Sequence, residues 1–369
     1  MVKKGHRVII SGGGTGGHIF PAIAIANEIK AQNSTAEILF VGALGRMEME
    51  RVPAAGFPIV GLPVTGLQRK SILHNITLPL KLLKSLRKAK KIIKDFEPDV
   101  AIGVGGYASW PLLWMATRMK IPSIIQEQNS YAGIANRMLS KRVTTICVAS
   151  EGMERFFPKE KIRLTGNPIR TSIVPVTETL RQEGRAFFHI SPNRKCILVS
   201  GGSLGARTLN ECVKSYITES NGDTLVEIIW QCGGYYQRDT EAFAQEHPSP
   251  WVHLHPFIDR MDLAFAAADV VISRAGAGTI SELCIAQKAV IFVPSPNVSE
   301  DHQTHNAMAL VHREAAMMVP EDQALTCLMK TAIDLVMNEK EIKRLEQNIS
   351  GLARPNATKD IVNQIIALL

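Results

Sequence analysis

Twice in this chain a short apolar run passes directly into a glycine-rich loop and then into apolar residues at helical spacing. That repeated unit limits the fold more than any other feature. In the first copy, Val8-Ile9-Ile10 precedes Gly12-Gly13-Gly14-Thr15-Gly16-Gly17-His18, and a helical pattern follows over Ile19 to Lys30. In the second, Lys195 to Ser200 runs into Gly201-Gly202-Ser203-Leu204-Gly205-Ala206, with a helix from Arg207. Uninterrupted apolar strands suit a parallel sheet buried on both faces. Glycine permits positive φ and close approach to the main chain, while the first N–H groups of the next helix face whatever binds there. Such a loop suits an oxyanion or a diphosphate.

Between and after the two copies the alternation continues. Strand patterns occur at 36–41, 59–64, 99–104, 123–126, 143–148 and 161–164, then at 225–231, 252–255, 270–273 and 290–293, with helical stretches between them. Strands separated by helices predict βα units and mostly parallel sheets. The pattern breaks around Thr165-Gly166-Asn167-Pro168. We therefore expect a first α/β domain over 1–165, a linker region over 166–194, a second α/β domain over 195–350, and a terminal segment at 351–369 whose helix packs back on the first domain.

At 369 residues and 46% hydrophobic composition the chain can bury two cores. No apolar run approaches the roughly 18 residues needed to span a bilayer. The amino terminus shows no signal-peptide pattern, which predicts a cytoplasmic location. The six cysteines are scattered without C-x-x-C spacing, so neither zinc nor a disulfide framework is expected. The net charge of +8 is local: Arg69 to Lys94 holds nine cations and no acid, and without it the chain would be close to neutral. Leu78 to Lys94 reads as an amphipathic helix. Leu82, Leu83, Leu86, Ala89 and Ile93 share one arc, and Lys81, Lys84, Arg87, Lys88, Lys91 and Lys94 fill the opposite one. A face of cations alone, preceded by Arg69, Lys70, Ile72, Leu73 and Ile76, points to an anionic membrane surface rather than to nucleic acid.

Several motifs bear on chemistry. Gly12, Gly14 and Gly17 satisfy G-x-G-x-x-G, but the second strand ends in Gly42-Ala43-Leu44 without the acidic residue that a dinucleotide site uses. A P-loop is absent. His18 reads either as a packed helix-start histidine or as a proton acceptor at the rim where open α/β sheets bind ligands. Ser273-Arg274-Ala275-Gly276-Ala277-Gly278-Thr279-Ile280-Ser281-Glu282 again follows a strand and opens a helix, its small residues leaving the helix start open to phosphate. Glu282 has the spacing of a capping box with Thr279, and equally could accept from ribose hydroxyls. The polar run from Ser299 to Asn306 suits sugar hydroxyls or a solvated helix start. Its Asp301, His302 and His305 match no metal pattern.

Taken in order, Gly12 to His18, Gly105-Gly106-Tyr107, Glu127-Gln128-Asn129, Gly166 to Arg170, Gly201 to Arg207 and the Ser281-Glu282 helix start resemble the MurG family over essentially the whole chain. These bacterial enzymes add N-acetylglucosamine to undecaprenyl-diphospho-muramoylpentapeptide. The resemblance implies a GT-B glycosyltransferase, with two Rossmann-like domains facing across a cleft and inversion at the anomeric carbon. It implies no bound prosthetic group and no metal in the site, with assistance from a divalent cation left open. UDP-N-acetylglucosamine would be held by Ser203, Ile258, Ala277, Gly278, Thr279, Ile280, Ser281, Glu282, Gln303 and Asn306, and from the first domain and its border by Thr15, Gly16, Gly17, Asn129 and Arg170. The acceptor diphosphate would lie on Gly14, Gly105, Gly106 and Tyr107, with His18 and Glu127 as catalytic residues. Further partners would be the cytoplasmic face of the cell membrane and other cell-wall synthesis proteins, and no nucleic acid.

Gln126, Leu204 and Trp110 depart from the family pattern, and the first removes a competing base, which moves weight to His18 or Glu127. Two other functions fit parts of the sequence: a GT-B-like UDP-N-acetylglucosamine epimerase and a non-catalytic sugar-nucleotide-binding membrane subunit. The cationic helix favours a lipid-linked acceptor over the first, and the full set of polar loops favours an enzyme over the second.

Overall fold

The computed structural model describes residues 5–64, 78–220 and 226–369. Its chain divides into two compact units, Met1–Ile169 with Asn356–Leu369, and Arg170–Pro355.

In the first unit seven strands, β1 (Arg7–Gly12), β2 (Glu37–Ala43), β3 (Ile59–Leu62), β4 (Val100–Gly105), β5 (Ser123–Glu127), β6 (Thr145–Val148) and β7 (Ile162–Leu164), form one sheet in the order β3-β2-β1-β4-β5-β6-β7. Every pairing is parallel. Val8, Ile9 and Ile10 are wholly buried because helices cover both faces of the sheet. The strand order reverses at β1 and β4, and the loops leaving those two strands carry the two glycine clusters of this unit. That reversal is where open α/β sheets form their binding crevice.

The second unit repeats the plan with β8 (Lys195–Ser200), β9 (Val226–Gln231), β10 (Val252–His255), β11 (Val270–Ser273), β12 (Val290–Phe292) and β13 (Met317–Met318), ordered β10-β9-β8-β11-β12-β13 and again parallel. Its switch point lies at β8 and β11, so the loops at 201–206 and 274–277 leave from adjacent strands. Trp230, fully buried in β9, donates its indole N–H to Asn210 Oδ1 at 2.9 Å, which satisfies the one polar atom it carries into the core.

The segment 166–194, expected as a linker, is not one. Residues 166–169 belong to the first unit, and from Arg170 the chain is part of the second. The helix Glu178–Phe187, started by Thr177 accepting from the Leu180 N–H at 3.2 Å, packs on the helix Met261–Ala267. The contact passes through Gly184, where an added Cβ would lie 2.5 Å from the Leu263 carbonyl oxygen. It is pinned by charge: Asp269 accepts from Arg181 at 2.6 Å, from Arg185 at 2.9 Å and from the Cys196 N–H at 2.7 Å. A helix that docks through a glycine and two arginines has little apolar stripe for sequence patterning to detect.

The terminal helix, Ala357–Ile366, buries Ile361, Val362 and Ile365 in the core of the first unit beside Ile25 and Ile29. The basic helix spans Leu78–Phe96 and buries Ser85, Ala89, Ile92 and Ile93. Leu83, expected on the buried arc, is 45% exposed, as Leu80 is at 64%. Lys84, Arg87 and Lys88 are exposed and Lys81 is half-buried. Arg69, Lys70, Ile72, Leu73 and Ile76 lie outside the described residues. Among the described residues no helix is long and apolar enough to cross a membrane.

Candidate active site

In the first unit, the loop after β1 and the loop after β4 are fitted together by glycines. The Gly13 N–H donates to the Gly105 carbonyl at 3.3 Å. A Cβ on Gly106, at φ 89°, would lie 2.2 Å from the Gly13 oxygen, and one on Gly105 would lie 2.7 Å from His18 Nε2. The imidazole of His18 therefore rests directly on the Gly105 backbone, with Tyr107 beside Gly14. Thr15 is the extended residue before the helix Gly16–Gln32, so Gly16 and Gly17 supply the first-turn N–H groups that no helical carbonyl can pair. His18 Nδ1 lies 3.1 Å from the Gly13 carbonyl and 3.2 Å from Thr15 Oγ1. Because a carbonyl only accepts, the Gly13 contact is a hydrogen bond only in the tautomer with the proton on Nδ1, whose lone pair lies on Nε2, the nitrogen a base would use.

Two buried glutamates organise these loops. Glu48 opens the helix Glu48–Ala54 and turns its carboxylate onto the loop, accepting from the Gly14 N–H at 2.9 Å and the Ala43 N–H at 3.0 Å. The N–H of Gly14, a residue expected at the acceptor diphosphate, is thus engaged by Glu48. The acid absent from the end of β2 thus stands a few residues on, at the start of the next helix. The signal was available in Gly13 and Gly42, the small residues that leave room for it. Glu127, expected to be catalytic, is 2% exposed and accepts from Asn129 N and Nδ2, Gly133 N and Asn136 Nδ2 at 2.8–3.3 Å. Burial pushes its carboxyl up and these four donors pull it back. With both oxygens engaged it shapes the 129–136 loop and has no lone pair presented to a substrate. Gln126, fully buried, belongs to an amide network with Gln128 and Asn167.

In the second unit the 201–206 loop is seated on the 232–235 loop through Gly205 and Gly233, at φ 82° and 86°, where a Cβ on Gly205 would lie 2.0 Å from the Cys232 oxygen. This leaves Gly202, Ser203 and Leu204 exposed at the end of β8. On the neighbouring strand, Gly276 precedes the helix Ala277–Ala286 with no side-chain cap, and Gly278 stands in open space. Arg274 supports this turn from behind. It donates to the Val293 carbonyl at 2.9 Å and forms a two-pronged pair with Glu321, which also takes the Thr208 hydroxyl. Ala277, Gly278, Thr279 and Ile280 are thus grouped at an open helix start.

Three expected contacts there change meaning. Ser281 donates its hydroxyl to the Ala277 carbonyl at 3.0 Å. Asn306 is 3% exposed and donates to the Ala275 carbonyl at 3.3 Å, and Gln303 Oε1 accepts from Ser295 N at 2.9 Å. Both hold the loops around the site. Glu282 does not cap. It pairs with Arg170 Nε at 3.1 Å, and burial pushes its carboxyl up while the guanidinium pulls it down. Ile258 is buried at 4% exposure. Glu300 and Asp301, at φ 56° and 49°, force the chain through two consecutive left-handed residues before the helix His302–Val311. Among the described residues no group of three or more His, Cys, Asp or Glu side chains could hold a metal ion.

Comparison with known proteins agrees with this two-unit architecture. The glycosyltransferase family 28 N-terminal domain matches residues 8–148 and the family 28 C-terminal domain matches residues 196–365. A protein of Parabacteroides distasonis named UDP-N-acetylglucosamine–N-acetylmuramyl-(pentapeptide) pyrophosphoryl-undecaprenol N-acetylglucosamine transferase is 51% identical, covering 99% of this chain and 98% of its own length. The protein of the same name from Phocaeicola vulgatus is 52% identical, covering 100% and 97%. Among solved structures, MurG of Acinetobacter baumannii superimposes with a TM-score of 0.80 at 28% identity, covering 98% of this chain and 99% of that one. The α/β fold is that of the GT-B class, and the chain belongs to glycosyltransferase family 28, in the MurG family of N-acetylglucosamine transferases.

Proposed function

We propose that the chain transfers N-acetylglucosamine from UDP-N-acetylglucosamine to the 4-hydroxyl of the muramoyl sugar of undecaprenyl-diphospho-muramoylpentapeptide, with inversion. The observation that carries this reading is identity at about half of all positions, end to end, with relatives named for that transfer. Those names favour transfer over the epimerase and the scaffold subunit. The geometry supplies parts suited to it. His18, with its lone pair on Nε2, takes the proton of the attacking hydroxyl. The open helix start at 277–280, with Ser203 and Thr279, receives the charge that builds on the departing diphosphate. Glu282, desolvated and held by Arg170, accepts from the ribose hydroxyls, with Ile258 near the uracil. Thr15, Gly16, Gly17 and Asn129 contribute to the donor, and Gly105, Gly106 and Tyr107 to the acceptor diphosphate. The scheme uses no metal bound by the chain.

Replacing Ser203 and Thr279 by alanine tests the diphosphate assignment. Each lost hydrogen bond to a charged oxygen is expected to reduce kcat/KM by about 10- to 100-fold. Unchanged kcat/KM in both variants contradicts it.

The protein is further proposed to act at the surface of an anionic membrane, through the cationic face of Leu78–Phe96 and the exposed Leu80 and Leu83 beside it. Sedimentation with vesicles containing an anionic lipid is expected to weaken about fivefold for each of Lys81, Lys84, Arg87 and Lys88 changed to glutamine. Binding that ignores these changes and ionic strength rules that face out.

A further inference from the structure

Glu48 and His18 hold opposite ends of one peptide group. Glu48, 1% exposed, accepts the Gly14 N–H on Oε2 at 2.9 Å and the Ala43 N–H on Oε1 at 3.0 Å. The carbonyl of the same Gly13–Gly14 peptide lies 3.1 Å from His18 Nδ1. A trans peptide is planar, with N–H and C=O pointing opposite ways, so fixing one end fixes the other. The surroundings are cut to receive this carboxylate. A Cβ on Gly13 would lie 2.3 Å from it, and one on Gly42 would lie 2.6 Å from its Cγ. A peptide between two glycines, the second at φ 85°, has little intrinsic preference for its orientation. Inverted, its carbonyl would face a carboxylate that can only accept, and His18 would lose its acceptor.

We infer that Glu48 is a positioning residue for the transfer: through the Gly13–Gly14 peptide it keeps His18 protonated on Nδ1 and unprotonated on Nε2. The role rests on the reading of His18 as the base. The carboxylate also polarises the peptide, which strengthens the Gly13 carbonyl as a partner for the imidazolium formed when the proton is taken.

The test compares Glu48→Gln, Glu48→Ala and His18→Ala in the full chain, with UDP-N-acetylglucosamine and a short-chain lipid-linked acceptor. Glutamine fills the space but offers one accepting oxygen where two N–H groups need acceptors. Its kcat is expected to fall by about 100-fold, with the KM for UDP-N-acetylglucosamine within about twofold of wild type. The acid limb of kcat/KM is expected to move to lower pH, because the imidazolium loses a negative charge's support. A merely structural role would lower the melting temperature and leave the acid limb in place, which would overturn the inference, as would a kcat within about threefold of wild type. A second readout needs no variant: the imidazole nitrogen shifts of His18 in the wild-type protein, above its titration, are expected to report the proton on Nδ1, and a proton on Nε2 overturns the inference. If His18→Ala abolishes transfer while Glu48→Gln retains it, the role of Glu48 alone fails. If His18→Ala retains transfer, the base assignment fails and the role of Glu48 falls with it.

Discussion

His18→Ala is expected to lower kcat by about 100- to 10,000-fold, the range typical for loss of a general base, while leaving UDP-N-acetylglucosamine affinity unchanged. The effect falls on kcat because the helix start proposed to hold the nucleotide diphosphate is that of Ala277–Ala286, and the donor contacts proposed beside His18, at Thr15, Gly16 and Gly17, do not use its imidazole. Wild-type kcat/KM is expected to rise with pH as the imidazole loses its proton, and the variant should lack that limb. Calorimetric titration of the donor together with steady-state rates across pH checks both statements. A variant that loses donor binding in proportion to rate would make His18 a binding residue instead.

Asp269→Ala is expected to destabilise the second unit by about 3–5 kcal/mol, the cost of leaving buried partner charges without their counterion. Asp269 is 8% exposed and accepts from two guanidinium groups and one backbone N–H, and Arg185, 10% exposed in its side chain, also binds the Ser191, Pro192 and Arg194 carbonyls. Truncation removes the acid and strands Arg181, Arg185 and the Cys196 N–H together. In urea, the transition of the second unit should shift to lower denaturant with its slope unchanged. A shift worth less than about 1 kcal/mol would mean that water or another acid replaces Asp269, as it does for exposed pairs.

The legible parts of this protein were those set by local rules. Buried strands that pass into glycine loops and helices mark βα units by period and turn chemistry alone, and they located the loops at 12–18, 105–107, 201–206 and 274–282. Contacts between residues far apart in sequence were not legible. The helix Glu178–Phe187 read as linker because it docks through Gly184 and two arginines whose acid lies more than eighty residues away. Glu127 stood by resemblance as a candidate base beside His18, and the four donors that engage it become visible only once the loop is folded. Ser281 and Asn306 read as ligand contacts for the same reason: nothing in their spacing reveals that carbonyls of Ala277 and Ala275 already hold them. Glu48 was passed over because its function follows from where a carboxylate points, not from the motif around it.

The measurement that bears most directly on the central claim is transfer of labelled sugar by the purified chain from UDP-N-acetylglucosamine to a short-chain lipid-linked muramoylpentapeptide diphosphate. The predicted result is label on the lipid in a β-linkage, with release of UDP that depends on the acceptor. Conversion of the donor in the absence of acceptor, or donor binding without turnover, would contradict it.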